Sequence, residues 1–328
     1  MDSEQNKNIE LARKKADEII EAELKKIPPL NPISGFWIRI LAFAVDIMLL
    51  GFFGRLLGLL FFKQFAELGQ WGNLVGFPVA LLYFGILNSK IGGGQTIGKK
   101  LLRIKVVGKN TDYIRLRASL LRSAILILPA IFPVPFKFSS ASFLTALILL
   151  LLQISIIYAY IANVYSRQSI HDLICGTYVV KSAAAENFSP KAVPKSFYVF
   201  LLIVNICIIA FSACAGSKIY SHPPFKNLII LQDQLYSLGD FVNISTNAGK
   251  TWVKNAEFKY VSAEIIQKRK PASDEDEAKK IAKFILNNYP DAKNKDYIRV
   301  TLSYGYDIGI ARDYKNFDYT YNVRAAGN

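Results

Sequence analysis

The chain has 328 residues, 52% of them hydrophobic, with a mean hydropathy of +0.24 and a formal net charge of +15. Soluble domains average about 45–50% apolar residues, so the surplus must be located along the chain. Residues 37–180 carry only four acidic side chains, at Asp46, Glu67, Asp112 and Asp172, among long runs of Leu, Ile, Phe, Val and Ala. This distribution is typical of a membrane block flanked by aqueous segments, and it excludes an ordinary soluble protein.

The positive charge lies mainly in residues 90–122, between two apolar runs. A nucleic-acid-binding protein would carry such charge on a soluble face, together with aromatic side chains that stack on bases. Short basic loops between membrane spans face the cytoplasm and anionic lipid instead. We therefore expect segment 99–117 to contact anionic lipid, and we expect no nucleic-acid partner.

Residues 1–34 predict a charged cytoplasmic helix, because they lack the apolar stretch of a signal peptide. Residues 35–182 predict a membrane domain, and residues 183–195 a linker to a fifth span at 196–216. A loop with Lys63 and Glu67 is expected between the first two spans. The four spans of the membrane domain are predicted at about 36–55, 72–90, 119–136 and 143–163. The third span is rich in proline, which leaves open whether it is re-entrant.

Five spans from a cytoplasmic amino terminus place residues 217–328 outside the plasma membrane. In that region one helix is predicted within 273–292, and strands at 241–246, 257–266 and 297–306 with a tail to Tyr321. A further short strand or interfacial hairpin is predicted in LLRIKVVG, residues 101–108. The predicted fold is an all-α polytopic membrane helix bundle of about five spans plus a small α+β extracytoplasmic domain.

Asp46 is the strongest candidate for a functional residue in the sequence, because an ionised carboxylate in the middle of a span is energetically costly. Arg39 precedes it by seven residues, about two helical turns or about 10 Å along the axis, so both side chains share a face. We expect Arg39 to compensate the charge of Asp46, with Arg122 of the third span as a further partner. The pair is either an intramembrane ion or proton site or a structural charge pair that fixes helix packing.

The other candidate motifs do not indicate an enzyme. Residues 93–100 match GxxxxGK, but Lys100 stands where a phosphate-binding loop needs Ser or Thr, and a membrane helix precedes the motif. His171 and Asp172 are adjacent but lack a nucleophile at suitable spacing. The three cysteines form no CxxC pair. The sequence therefore predicts no enzyme, no cofactor and no metal site.

Four ordered segments, GFWIRILAFAVD, GGGQTIGKKLLRIKVVG, RLRASLLR and RQSIHDLICGTYVV, resemble the RDD family of membrane proteins over about residues 34–182. The family is named for one arginine and two aspartates, which match Arg39, Asp46 and Asp172. Its T-x-G-K element matches Thr96, Gly98 and Lys99. Arg122 and His171 are expected to support this site. The fifth span and the carboxyl-terminal region depart from the minimal family pattern.

The resemblance implies a bacterial-type plasma membrane and a role in transport of unknown ligands, with cation/proton antiport proposed for some members. One hypothesis is therefore a small cation or proton transporter with its site at Asp46. So few spans then indicate a homo-oligomer. The alternative is a non-catalytic membrane anchor that presents an extracytoplasmic binding or sensing domain. Access of water to Asp46 would favour the transporter, and a sealed Asp46–Arg39 pair would favour the anchor.

Overall fold

A computed structural model describes residues 14–15, 32–132, 140–163, 166–183, 192–253, 256–270 and 274–323. Most of the predicted amino-terminal helix, two prolines of the third predicted span and most of the 183–195 linker lie outside these residues.

The first helix is longer than its predicted span. Helix α1 covers Phe36–Leu68, 33 residues, with one non-helical backbone position at Phe61. The predicted loop with Lys63 and Glu67 is wrong, because both residues lie within this helix. The segment consists largely of Leu, Phe and Ala and contains no proline, so nothing in it stops a helix. A 3₁₀ turn at Gly69–Gly72 ends the helix, and α2, Asn73–Leu87, follows.

The next elements are four helices and two strands, and the strands form a small ribbon beside the start of α1. They are α3 (Ile97–Leu101), β1 (Ile104–Val107), α4 (Leu116–Ile131), α5 (Ser140–Ala162), α6 (Ile170–Cys175) and β2 (Tyr178–Lys181). Strands β1 and β2 pair antiparallel, and Ile33 bridges Val180 on the free side of β2. The strand predicted in residues 101–108 is thus confirmed, but its partner is β2 and not a local hairpin.

Three helical stretches of the described chain are long and apolar enough to cross a membrane. They are Phe36–Leu87, Leu144–Ala162 and Lys195–Cys214, the last within helix α7, Lys195–Ser221. The first stretch holds α1, the 3₁₀ turn and α2, and so covers two of the predicted spans. Helix α4 has only 16 residues. The count of five spans and the outside position of the carboxyl-terminal region stay predictions.

Helices α1, α2 and α4 pack around an apolar cluster. Its buried members are Leu50, Ala80, Phe84, Ile127 and Ile131. The rings of Phe43 and Phe84 stack at 5.6 Å between centroids. This cluster separates the polar residues near the β1–β2 ribbon from the far end of the three helices.

The carboxyl-terminal region is a four-stranded sheet with two helices on one face. Its elements are α8 (Pro223–Tyr236), β3 (Phe241–Val253), β4 (Ala256–Gln267), α9 (Asp274–Asn288), β5 (Tyr297–Asp307) and β6 (Arg312–Asn322). The strand order is β3-β4-β5-β6, and only β4 and β5 are parallel. The predicted helix and strands are confirmed. Helix α8 was not predicted, because its two prolines occupy the first helical positions, where they start a helix and do not break one.

Candidate functional site

Asp172 is the centre of a buried ion-pair network. It lies in the first turn of α6, where it forms a capping box with Ser169. Arg122 Nε lies 2.8 Å from Asp172 Oδ1, and the Thr177 hydroxyl donates to the same oxygen at 2.8 Å. Arg39 Nη1 lies 3.8 Å from Asp172 Oδ2. The carboxylate thus faces two guanidinium groups and is fully buried.

Arg39 therefore compensates Asp172 and not Asp46, and the expected Arg39–Asp46 pair is wrong. Both residues do lie on the buried face of α1, as their spacing predicts. The guanidinium, however, donates to the backbone carbonyl of Arg167 and, at 3.0 Å, to that of Val179. These carbonyls belong to the residues around α6 and β2, so the side chain is held at the ribbon end of the helix.

Asp46 is bound by three neutral donors. Tyr83 Oη donates to Oδ1 at 2.7 Å, Gly98 N donates to Oδ1 at 2.8 Å, and Thr96 Oγ1 donates to Oδ2 at 2.5 Å. The carboxylate is fully buried, and no cationic group of the described chain lies within 4 Å of it. Helix α3 lies so close to α1 that a Cβ atom at Gly98 would overlap the Ala42 carbonyl oxygen.

Residues 33–176 match the sequence profile of the RDD family. The chain is therefore similar to the RDD family over this segment, which we call the RDD region. No curated protein and no solved structure matches the chain. Within the RDD region, the arginine and two aspartates do not form one cluster of three. Arg39 and Asp172 form an ion pair, and Asp46 occupies a separate set of donors.

Lys99 of the RDD region is the fifth ionisable group of this interior. Its ammonium group donates to Asn88 Oδ1 at 2.6 Å, and its backbone N–H donates to Thr96 Oγ1, which caps α3. Burial lowers the pKa of Lys99 to about 7, and the charge of Arg122 acts in the same direction. Protonation of Lys99 therefore adds a third positive charge beside those of Arg39 and Arg122.

Replacement of Lys99 by Met should remove a pH dependence of stability. With a folded-state pKa near 7 and an ordinary value of 10.5, the folded chain binds fewer protons than the unfolded chain between these limits. The free energy of unfolding therefore rises with pH over that range, and the full penalty remains below pH 7. Thermal unfolding in detergent between pH 6 and 10 measures this rise. Equal slopes for Lys99→Met and the wild type would contradict the assignment.

His171 does not contribute charge to the RDD region. Both ring nitrogens are buried and have no hydrogen-bond partner among the described residues, although Nε2 lies 3.6 Å from Asp172 Oδ2. Burial lowers the pKa of His171 to about 3, so the ring is neutral. Burial acts to raise the pKa of Asp172, but the opposing charges, led by Arg122, hold that pKa below its ordinary value. Asp172 is therefore the stable anion of the pair.

Sequence reasoning missed three residues of the site. Tyr83 lies inside an apolar run, Asn88 follows the end of α2, and Thr177 follows the helix of Asp172. Each is a polar side chain next to an apolar residue in the sequence, and this was the only available signal. Tyr83 contacts Asp46, Asn88 contacts Lys99 and Thr177 contacts Asp172. Sequence separation alone does not predict these contacts.

Proposed function

We propose that the RDD region moves protons or a small monovalent cation across the membrane, with Asp46 as the binding site. One observation carries this proposal: Asp46 is a buried carboxylate inside apolar helices that is held by neutral donors and lacks an ion-pair partner within the described chain. Ionisable residues inside a membrane are energetically costly, and they mark ion or proton pathways by default.

The two aspartates differ in what they can bind. Asp172 is neutralised by Arg122 and Arg39, so a further cation would meet two positive charges there. Asp46 faces the hydroxyl oxygens of Tyr83 and Thr96, and such oxygens can rotate to become ligands of a hard cation. Asp172 therefore fixes the scaffold, and Asp46 exchanges the ion.

Lys99 supports an exchange mechanism. Its charge interacts with those of both Asp46 and Asp172. Loss of its proton makes the interior more negative and favours entry of a cation at Asp46. Return of the proton favours release of that cation. The proposal involves no covalent conversion of a substrate.

Purified full-length protein in liposomes tests the proposal. An imposed sodium or potassium gradient should drive proton movement, followed with a pH-sensitive dye trapped inside. Asp46→Asn should reduce this movement to the rate of empty liposomes, because the amide cannot take the negative charge. Glu67→Gln is the matched control, since Glu67 is an exposed carboxylate on the same helix. It should retain the wild-type rate.

Two results would reject the site. One is ion-driven proton movement in Asp46→Asn at the wild-type rate. The other is the absence of any such movement in wild-type liposomes across a range of cations, with correctly folded and inserted protein. Circular dichroism and protein abundance confirm that the variant is folded.

The alternative, a non-catalytic anchor that presents a binding or sensing domain, has its own support. The sheet face that α8 and α9 leave open carries a polar groove of about 490 Å³. It is lined by Glu264, Arg299, Thr301, Ser303, Asn316, Asp318 and Thr320. Under this alternative, removal of residues 217–328 abolishes the cellular phenotype while Asp46→Asn leaves it intact.

The proposed location is the plasma membrane, with a cytoplasmic amino terminus and the sheet domain outside. Several basic side chains of segment 99–117 are exposed beside the ribbon, where they suit anionic lipid headgroups. They are Lys100, Arg103, Lys109, Arg115 and Arg117. A homo-oligomer is the proposed working form, because so few spans make a small transporter.

A further inference from the structure

The turn between β5 and β6 forms a compact tip. We call residues 306–311 the hairpin tip. Ile308 N donates to the Ala311 carbonyl at 3.0 Å, and Asp307 Oδ1 accepts from Gly309 N at 2.8 Å. Gly309 has φ +80°, a conformation that favours glycine. The tip is therefore held in one shape by its own hydrogen bonds.

The hairpin tip lies in a groove that α1 and α2 line with glycine. A Cβ atom at Gly58 would overlap the Tyr306 hydroxyl, and one at Gly76 would overlap the backbone carbonyl oxygen of Ile308. At Gly54 the added atom would lie 2.8 Å from the Cβ of Ala311. These helices approach the tip at backbone distance because they carry no side chains there.

Side chains hold the tip in the groove. The ring of Tyr306 packs edge-on against Phe62 and Phe65, with centroids 5.6 and 5.8 Å apart. Arg55 Nη1 donates to the Arg312 carbonyl at 2.9 Å and lies 3.7 Å from a carboxylate oxygen of Asp313. Tyr306, at the end of β5, and Ile308, in the turn that follows, are among the most deeply buried residues of the described chain.

The tip reaches deep into the RDD region. Its Ile310 carbonyl oxygen lies 3.6 Å from the position of a Cβ at Gly51, five residues after Asp46. Five residues of helix are about 7.5 Å along the axis. Between the two lies the apolar cluster of α1, α2 and α4, against which Ile310 packs. The same cluster also packs against Tyr83, which donates to Asp46, so it connects the tip with the site.

The sheet domain does not need this insertion for its own core. The core between the sheet and its two helices contains neither Tyr306 nor Ile308, which cluster instead with Phe65 of α1. A connecting turn of four residues is more often solvated than buried. Its burial in the membrane domain therefore needs a reason other than folding of the sheet.

We propose that the hairpin tip is a plug that closes the path to Asp46 from the end of the bundle opposite the β1–β2 ribbon. This inference rests on the proposed function, because it assigns access control to that same site. The sheet domain then acts as a gate: a change that withdraws the tip leaves only the apolar cluster between Asp46 and the solution. The ion pair of Arg55 with Asp313 and its hydrogen bond to the Arg312 carbonyl, at the rim of the groove, hold the closed state.

Cysteine labelling tests the plug without measuring transport. A single cysteine replaces Leu50, a buried member of the apolar cluster, in a full-length chain whose three native cysteines are changed to serine. A small membrane-impermeant thiol reagent added from the tip side should label it slowly. Gly76→Ala and Ile310→Asp should each raise the labelling rate about tenfold or more, because both expel the tip.

Gly51→Ala is the matched control, since its added Cβ makes only an ordinary contact with the tip. Its labelling rate should equal that of the parent. Unchanged labelling in both Gly76→Ala and Ile310→Asp would overturn the plug. So would equal acceleration by Gly51→Ala, because the effect would then not depend on overlap with the tip.

A cross-link separates this inference from the proposed function. The cysteine pair Gly54→Cys/Ala311→Cys brings two Cβ atoms within disulfide reach after a small adjustment. Oxidation should abolish labelling of the Leu50 cysteine in the Ile310→Asp background, and reduction should restore it. Labelling that ignores the cross-link would overturn the plug. Control of labelling by the cross-link without any ion-driven proton movement would support the plug and reject transport.

Discussion

Arg122→Leu is expected to lower the free energy of unfolding by about 3–5 kcal/mol. Arg122 provides the 2.8 Å ion pair to Asp172, and both side chains are almost fully buried. Without it, Asp172 keeps the weaker approach of Arg39 at 3.8 Å, the hydroxyl of Thr177 and the capping contact with Ser169. A buried carboxylate with too little compensation is much more costly than a buried leucine. Denaturant unfolding of the purified chain in detergent measures the loss.

Two controls identify the cause. The double variant Arg122→Leu/Asp172→Leu should be more stable than Arg122→Leu alone, because it removes the uncompensated charge together with its partner. Lys250→Leu breaks an exposed ion pair of the same 2.8 Å length, with Glu257, and should change stability by less than about 1 kcal/mol. A loss below about 1 kcal/mol for Arg122→Leu would contradict the ion-pair account.

The elements that the sequence predicted well carry strong local signals. The strands of the sheet domain contain β-branched and aromatic residues, and α9 begins with a run of acids from Asp274 to Glu277. Helix α1 is different, because residues 56–62 remain apolar and no proline occurs before the helix ends at Leu68. The end of a membrane span and the end of a helix are separate events, and hydropathy reports only the first.

The site shows a different limit of sequence reasoning. The seven-residue spacing correctly placed Arg39 and Asp46 on one buried face of α1. It could not show that the long guanidinium reaches the carbonyl of Val179, 140 positions away in the chain. Arg122 was expected to join the network, and it does so at Asp172. Helical periodicity fixes the direction of a side chain, but its partner depends on tertiary packing.

Gly98→Ala tests the hydrogen bonds that hold Asp46. The informative result is whether the variant raises or lowers the free energy of unfolding. Alanine in a helix is ordinarily more stable than glycine by about 1 kcal/mol. At Gly98 the added Cβ would overlap the Ala42 carbonyl oxygen and lie 3.0 Å from Asp46 Oδ1. Helix α3 must then move away from α1, which lengthens the bonds from Gly98 and Thr96 to Asp46. Weakening hydrogen bonds to a buried acceptor costs about 1–3 kcal/mol. The variant should therefore be less stable than the wild type.

Gly51→Ala should change the free energy of unfolding in the opposite direction. Its Cβ has room, so this variant should gain up to about 1 kcal/mol from helix propensity alone. The double variant Gly98→Ala/Asp46→Asn then separates steric overlap from loss of hydrogen bonds to the carboxylate. If Asp46 carries the penalty, the two changes should couple by about 0.5–3 kcal/mol. Additive effects would mean that overlap with Ala42 alone destabilises the helix pair, and α3 would then have no special part in holding the Asp46 carboxylate.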